Sequence, residues 1–123
     1  MELGASKEDY LESIYRLGNR GKNPARVIDI AKDMNVAKSS ASLAVKCLEH
    51  MKYVERGAEF EVYLTSKGQK LGKILYERHR FWKHLLVEIG ITNETAEREA
   101  SEIEHVLSEE SFQTLKKYLE TTM

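Results

Sequence analysis

Apolar residues recur at three- and four-residue spacing in Tyr10, Leu11, Ile14 and Leu17, behind the polar start Ser6-Lys7-Glu8-Asp9. The pattern predicts an amphipathic helix capped by Ser6, with carboxylates in its first turn. Residues 18–24, rich in Gly and Asn and closed by Pro24, form a loop. Val27, Ile30, Ala31 and Met34 then keep helical spacing, so a second helix is expected over about 26–34. Asn35 and Val36 make a short turn, and Ala41, Ala44, Val45 and Leu48 face inward from a third helix over about 38–51. Two short helices joined by so brief a turn form a helix-turn-helix, although three helices that merely pack would show the same spacing.

The period then changes. Alternating residues on either side of Gly57 and Ala58, in 53–56 and 59–64, predict a β-hairpin. A hairpin directly after a helix-turn-helix is the wing of a winged helix. Thr65 caps a long helix over about 66–89, ended by Gly90. Thr92 or Asn93 caps another over about 94–107, and Ser108 caps the last, to about 120. The fold class is therefore mostly α: an N-terminal winged helix-turn-helix over 1–71, then an α-helical part over 72–123 suited to dimerisation. Leu75, Phe81, Trp82, Leu85, Leu86, Ile89 and Ile91 supply more apolar surface than the winged helix alone needs covered.

Charge changes this picture only when divided. The chain of 123 residues carries net charge −1. Residues 1–71 hold 12 Lys/Arg against 10 Asp/Glu, and residues 72–123 hold 7 against 10, so +2 and −3. No apolar run approaches the roughly 18–20 residues that cross a bilayer, and the start lacks a signal pattern. The single cysteine, Cys47, allows no internal disulfide and suits a packed position in the third helix. A cytoplasmic protein with no membrane partner is expected.

A recognition helix enters a polyanionic groove, where carboxylates are costly. Residues 34–48 contain no Asp or Glu, yet hold Lys38, Ser39, Ser40, Ser42 and Lys46. Serines at a helix N-terminus present hydroxyls beside free backbone N–H groups, a natural phosphate seat. Arg26, Arg56 and Lys52 can add contacts, whereas Glu59 and Glu61 make the wing tip a poor phosphate binder. The alternative is a solvated polar face with cap-forming serines. So few cations argue for two copies reading two half-sites of double-stranded DNA.

A second set of residues has metal-ligand chemistry. Asp9 and Glu12 project from one face of the first helix, and Ser101, Glu104 and His105 fall at i, i+3 and i+4 of a later one. His79 sits midway along the long helix. Three carboxylates and two imidazoles without thiolate suit Mn²⁺ or Fe²⁺ and leave Zn²⁺, Co²⁺ and Ni²⁺ open. Glu102 is adjacent but rotated away. Each residue also has an ordinary structural reading, as a surface pair, a first-turn carboxylate or a core histidine. No nucleophile or general base accompanies an open metal position, so an enzyme acting on a small organic substrate is not expected.

Several blocks resemble the family of the diphtheria toxin repressor and the manganese transport regulators. They are Glu8-Asp9-Tyr10-Leu11-Glu12-Ser13-Ile14-Tyr15, Arg26-Val27-Ile28-Asp29-Ile30-Ala31, Leu64-Thr65-Ser66-Lys67-Gly68, Arg78-His79-Arg80 and Ile103-Glu104-His105-Val106-Leu107-Ser108-Glu109-Glu110. The resemblance implies a homodimeric, metal-dependent transcriptional repressor, joined through residues 72–123, that controls metal-ion homeostasis by binding operator DNA. It implies ligand positions at Asp9, Glu12, His79, Glu104 and His105, with Mn²⁺ the first choice and Fe²⁺ the second. The end at Met123 is similar to the short type of family member. Ser101 stands where the family usually has Cys or Glu, which favours one intact metal site over two, and Leu43 stands where it often has Lys or Arg. The runner-up is a winged-helix regulator without metal control or with another effector.

Overall fold

The computed structural model describes residues 3–122. Its elements, in chain order, are α1 (Ala5–Leu17), β1 (Ala25–Arg26), α2 (Val27–Met34), α3 (Lys38–His50), β2 (Val54–Arg56), β3 (Glu61–Leu64), α4 (Ser66–Glu88), α5 (Asn93–Ile103) and α6 (Glu109–Thr122). The expected mostly-α architecture is present: six helices with one small antiparallel sheet, a winged helix-turn-helix first and helices after it. The chain divides into two compact units, 3–78 and 79–122 of the described residues, with the division inside α4 between Arg78 and His79.

The first unit is the winged helix. α2 ends at Asn35, whose left-handed backbone (φ 56°) turns the chain into α3; asparagine tolerates that region better than most residues. Leu11, Ile14, Val27, Ile30, Ala41, Val45, Leu48, Val54 and Val62 make the fully buried centre of one core. The wing is β2 and β3, paired in register Val54 with Leu64 and Arg56 with Val62. Its order in the sheet is β1-β3-β2, so β3 is flanked by a strand that the alternation pattern did not predict. β1 has only two residues, Ala25 and Arg26, paired with Val62 and Glu61, and so short a strand leaves no local period to read. Thr65 caps α4 as expected, accepting the Gly68 N–H at 3.1 Å. Its hydroxyl also lies 2.6 Å from the Lys52 carbonyl oxygen, and this ties α4 to the wing. Gly68 leaves no room for a side chain there, because a Cβ would run into the Tyr53 carbonyl oxygen.

One polar clamp joins α1 to α2. Asp33 accepts from Ser13 Oγ at 2.7 Å and from both terminal nitrogens of Arg16 at 3.0 and 2.7 Å. The Arg16 guanidinium holds the Asp33 carboxyl below the ordinary carboxylate range, against the opposing effect of burial. A carboxyl lowered in the folded state contributes stability above its unfolded value, and that stability disappears as pH falls through the folded value. Asp33→Asn should therefore cost about 1 kcal/mol at neutral pH, since Arg16 is largely exposed. Urea unfolding repeated at pH about 3 should show the gap between variant and parent closing.

The second unit is built on the end of α4, with α5 and α6. Phe112 and Ala100 are buried against Trp82, with Phe81, Leu85, Ile103, Leu107 and Leu115 packed around them. Phe81 meets both Trp82 and Phe112 edge-on, each at 5.3 Å between ring centroids. Trp82 is thus committed to this unit's own core, with Phe81 and Leu85 partly buried against it, and Leu75 is fully buried. The large apolar residues left exposed in the second unit are Val87, Ile89, Val106 and Tyr118.

Three boundaries differ from expectation. α1 is entered from Gly4 with no side-chain cap, so Ser6 lies inside the first turn. β1 takes Arg26 out of α2, which starts at Val27. α5 stops at Ile103, and the chain continues through tighter i→i+3 bonding, Val106 N–H to Ile103 O at 3.2 Å. Glu104 and His105 therefore stand on a turn just past α5. Thr92 and Ser108 do cap α5 and α6, accepting the N–H groups of Thr95 and Ser111.

Candidate nucleic-acid interface and metal centre

α3 shows why its sequence alternates as it does. Ala41, Ala44, Val45 and Leu48 are buried, and the small alanines let the helix lie close on the core. The opposite face presents Lys38, Ser39, Ser40, Leu43 and Lys46, all exposed, with Ser42 half-buried beside them. The nearest carboxylate on the helix, Glu49, is partly buried and faces Arg56 of the wing at 3.9 Å. Thirteen residues make α3 about 20 Å long, and a helix fits a major groove about 12 Å wide. The first turn, at Lys38, Ser39 and Ser40, carries free N–H groups and no acid.

The predicted cations also have neighbours within the winged helix. Lys38 Nζ lies 5.2 Å from the ring centroid of Phe60, a residue 66% exposed at the wing tip. Arg56 reaches back towards the Ser42 carbonyl oxygen at 3.5 Å as well as to Glu49. It braces the wing against α3 besides offering charge. Arg26 is exposed on β1, opposite Glu61. Glu59 and Phe60 both take positive φ at the tip, 52° and 69°.

The predicted metal residues fall in both units. Asp9 and Glu12, three apart on α1, are each partly buried in the first unit. In the second, His79 of α4 and the turn residues Glu104 and His105 come together. The Glu104 side chain is fully buried, with Oε1 3.6 Å from His79 Nδ1 and 3.8 Å from His105 Nε2. Both separations are too long for a hydrogen bond. They are close to the ~3.3 Å expected between neighbouring ligand atoms around a tetrahedral ion with bonds of about 2.0–2.1 Å. One carboxylate and two imidazoles without thiolate also suit a borderline or hard divalent ion, so the donors fit a divalent metal.

Ser101 and Glu102 are engaged differently. The Ser101 hydroxyl donates to the Glu97 carbonyl oxygen one turn back, at 3.0 Å, and Glu102 is exposed. Glu97 itself was missed. Its Oε1 is 2.8 Å from His79 Nε2, and its Oε2 is 2.9 Å from Lys83 Nζ. Burial pushes the Glu97 carboxyl up, but the Lys83 ammonium and the His79 imidazole outweigh it and hold the group below its ordinary range. Glu97 is an exposed α5 carboxylate one turn before Ser101; only its phase relative to Ser101 could have drawn attention to it.

Residues 2–64 match the iron dependent repressor N-terminal DNA-binding domain, and residues 65–122 match the iron dependent repressor metal binding and dimerisation domain. An uncharacterised HTH-type transcriptional regulator of Methanocaldococcus jannaschii is 34% identical over 96% of this chain and 95% of its own length. The HTH-type transcriptional regulator MntR of Bacillus subtilis is 40% identical over 84% of this chain and 72% of its own. Among solved structures, the manganese regulator SloR aligns with TM-score 0.78 and 33% identity, covering 93% of this chain and 53% of that one. No helix among the described residues is long and apolar enough to cross a membrane. With a DNA-binding winged helix followed by a metal-binding helical domain, the chain belongs to the iron-dependent repressor family of metal-controlled transcriptional regulators.

Proposed function

We propose that the chain is a repressor that binds operator DNA as a homodimer when Mn²⁺, or in second place Fe²⁺, occupies a site made by Asp9, Glu12, His79, Glu104 and His105. The observation that carries the metal half is the buried Glu104 carboxylate between two imidazoles at 3.6 and 3.8 Å. When bound, the ion supplies positive charge to this group of donors. His79 and His105 serve as neutral donors, Glu104 as the charged one, and Asp9 and Glu12 as further oxygen donors. For DNA, Ser39, Ser40 and Ser42 donate to phosphate at the start of α3, Lys38 and Lys46 hold the backbone, and Arg26 and Arg56 flank them. The exposed Val87, Ile89, Val106 and Tyr118 of the helical unit support a homodimer through residues 72–123. Membership of a family of transcriptional regulators supports a protein that is not an enzyme and works in the cytoplasm.

Binding of Mn²⁺ to the folded protein alone should raise its stability by about 2.7 kcal/mol at a free concentration 100 times Kd. A thermal melt with and without Mn²⁺ reads this directly. A winged-helix regulator answering another effector is favoured by Ser101, whose hydroxyl is turned into its own helix; that reading requires a melt unmoved by Mn²⁺.

A further inference from the structure

Glu97 and Lys83 lie outside the proposed ligand set, yet they meet it at one atom. His79 presents its two ring nitrogens to two different carboxylates: Nε2 to Glu97 at 2.8 Å and Nδ1 to Glu104 at 3.6 Å. An ionised carboxylate only accepts, so the nitrogen at hydrogen-bond distance from Glu97 carries the proton. A neutral imidazole then keeps its lone pair on Nδ1, the nitrogen that faces buried Glu104. Glu97 is itself held at both oxygens, since Oε2 takes the Lys83 ammonium at 2.9 Å while Oε1 takes His79. That leaves its carboxylate little freedom to rotate. Metal-ligating histidines commonly donate their second N–H to a carboxylate, which fixes tautomer and ring orientation.

We infer that Glu97, braced by Lys83, is the positioning residue of the metal site: it holds the proton of His79 on Nε2 and so directs Nδ1 to a divalent cation. The inference rests on the proposed ligand role of His79. Glu97 is not itself a ligand here, because its two oxygens are engaged by His79 and Lys83. The side chain is 53% exposed, so its removal leaves the aromatic core of the helical unit intact and acts on the orientation of His79.

The test is calorimetric titration of the full chain with Mn²⁺, in parent, Glu97→Ala, Glu97→Gln and His79→Ala forms. Glu97→Ala should weaken Mn²⁺ binding by about 10- to 100-fold, the range for outer carboxylates of histidine ligands. Glu97→Gln, whose amide oxygen still accepts from Nε2–H, should recover most of that loss. Imidazole ¹⁵N spectra of the Zn²⁺-loaded parent should show Nδ1 coordinated, and the Nε2 proton should be visible through its protection by Glu97. Affinity unchanged or tightened in Glu97→Ala, a Gln variant as weak as the Ala variant, or Nε2 coordinated in the parent would each overturn the inference. His79→Ala separates the two levels. If it binds Mn²⁺ like the parent, the ligand reading itself fails; if it loses the ion while Glu97→Ala keeps it, only the positioning role fails.

Discussion

Replacing Glu104 by alanine should lower Mn²⁺ affinity by more than about 100-fold and make DNA affinity the same with and without the ion. The reason is its place. The side chain is fully buried, and the imidazoles of His79 and His105 both face its Oε1. Disturbing an outer carboxylate of a metal site costs about 10- to 100-fold in affinity, and losing a charged ligand should cost more. Glu104→Gln keeps the shape and removes only the charge, so it should fail at metal binding in the same way. Titration calorimetry reads the loss directly. An Ala variant that keeps Mn²⁺ affinity within a few-fold would remove Glu104 from the site.

Ser39→Glu should abolish DNA binding without unfolding anything. Ser39 is exposed in the first turn of α3, where the unmodified helix holds no acid. A carboxylate at a helix N-terminus favours the helix by about 0.3–1 kcal/mol, so the melting temperature should hold or rise slightly. On the DNA the same charge meets phosphate, and like charges placed together across an interface cost several kcal/mol. The expected loss is on the order of 100-fold or more at physiological salt. Lys46→Ala, by comparison, should weaken binding alike on all sequences and flatten its salt dependence by about one phosphate contact. Fluorescence anisotropy with a labelled duplex measures both variants. A Ser39→Glu protein that binds DNA like the parent would place the interface elsewhere on the winged helix.

The winged helix was legible because its signals are local. Val27, Ile30 and Ala31 of α2 and Ala41, Ala44, Val45 and Leu48 of α3 repeat at helical spacing, and each is buried. Thr65 and Ser108 cap where their sequence positions imply, because capping reads only the next three residues. What was not legible depends on contacts between distant segments. β1 exists only because β3 lies beside it. Lys38 stands over Phe60, and Arg56 turns to α3, although neither pairing has a signature in the chain. The metal residues divide in the same way. The blocks holding His79, Glu104 and His105 are similar to known blocks, and the structure brings these three side chains together. Glu97 lies eighteen residues from His79 in the chain and was invisible until the two helices were seen packed. Trp82 misled for a related reason: apolar content alone does not say whether a residue serves its own core or a neighbour's.

The metal dependence of DNA affinity is the property on which the rest depends. Duplexes should be selected from a random pool by the full chain in the presence of Mn²⁺. The selected duplex should then be titrated with protein in Mn²⁺ and again in chelator at the same salt. The selected sites should contain two half-sites about one helical turn apart, and affinity should fall by about five- to 150-fold when the ion is removed. By reciprocity, the duplex should raise Mn²⁺ affinity by the same factor. Equal affinity in Mn²⁺ and in chelator would contradict metal control and leave a winged-helix regulator that answers something else.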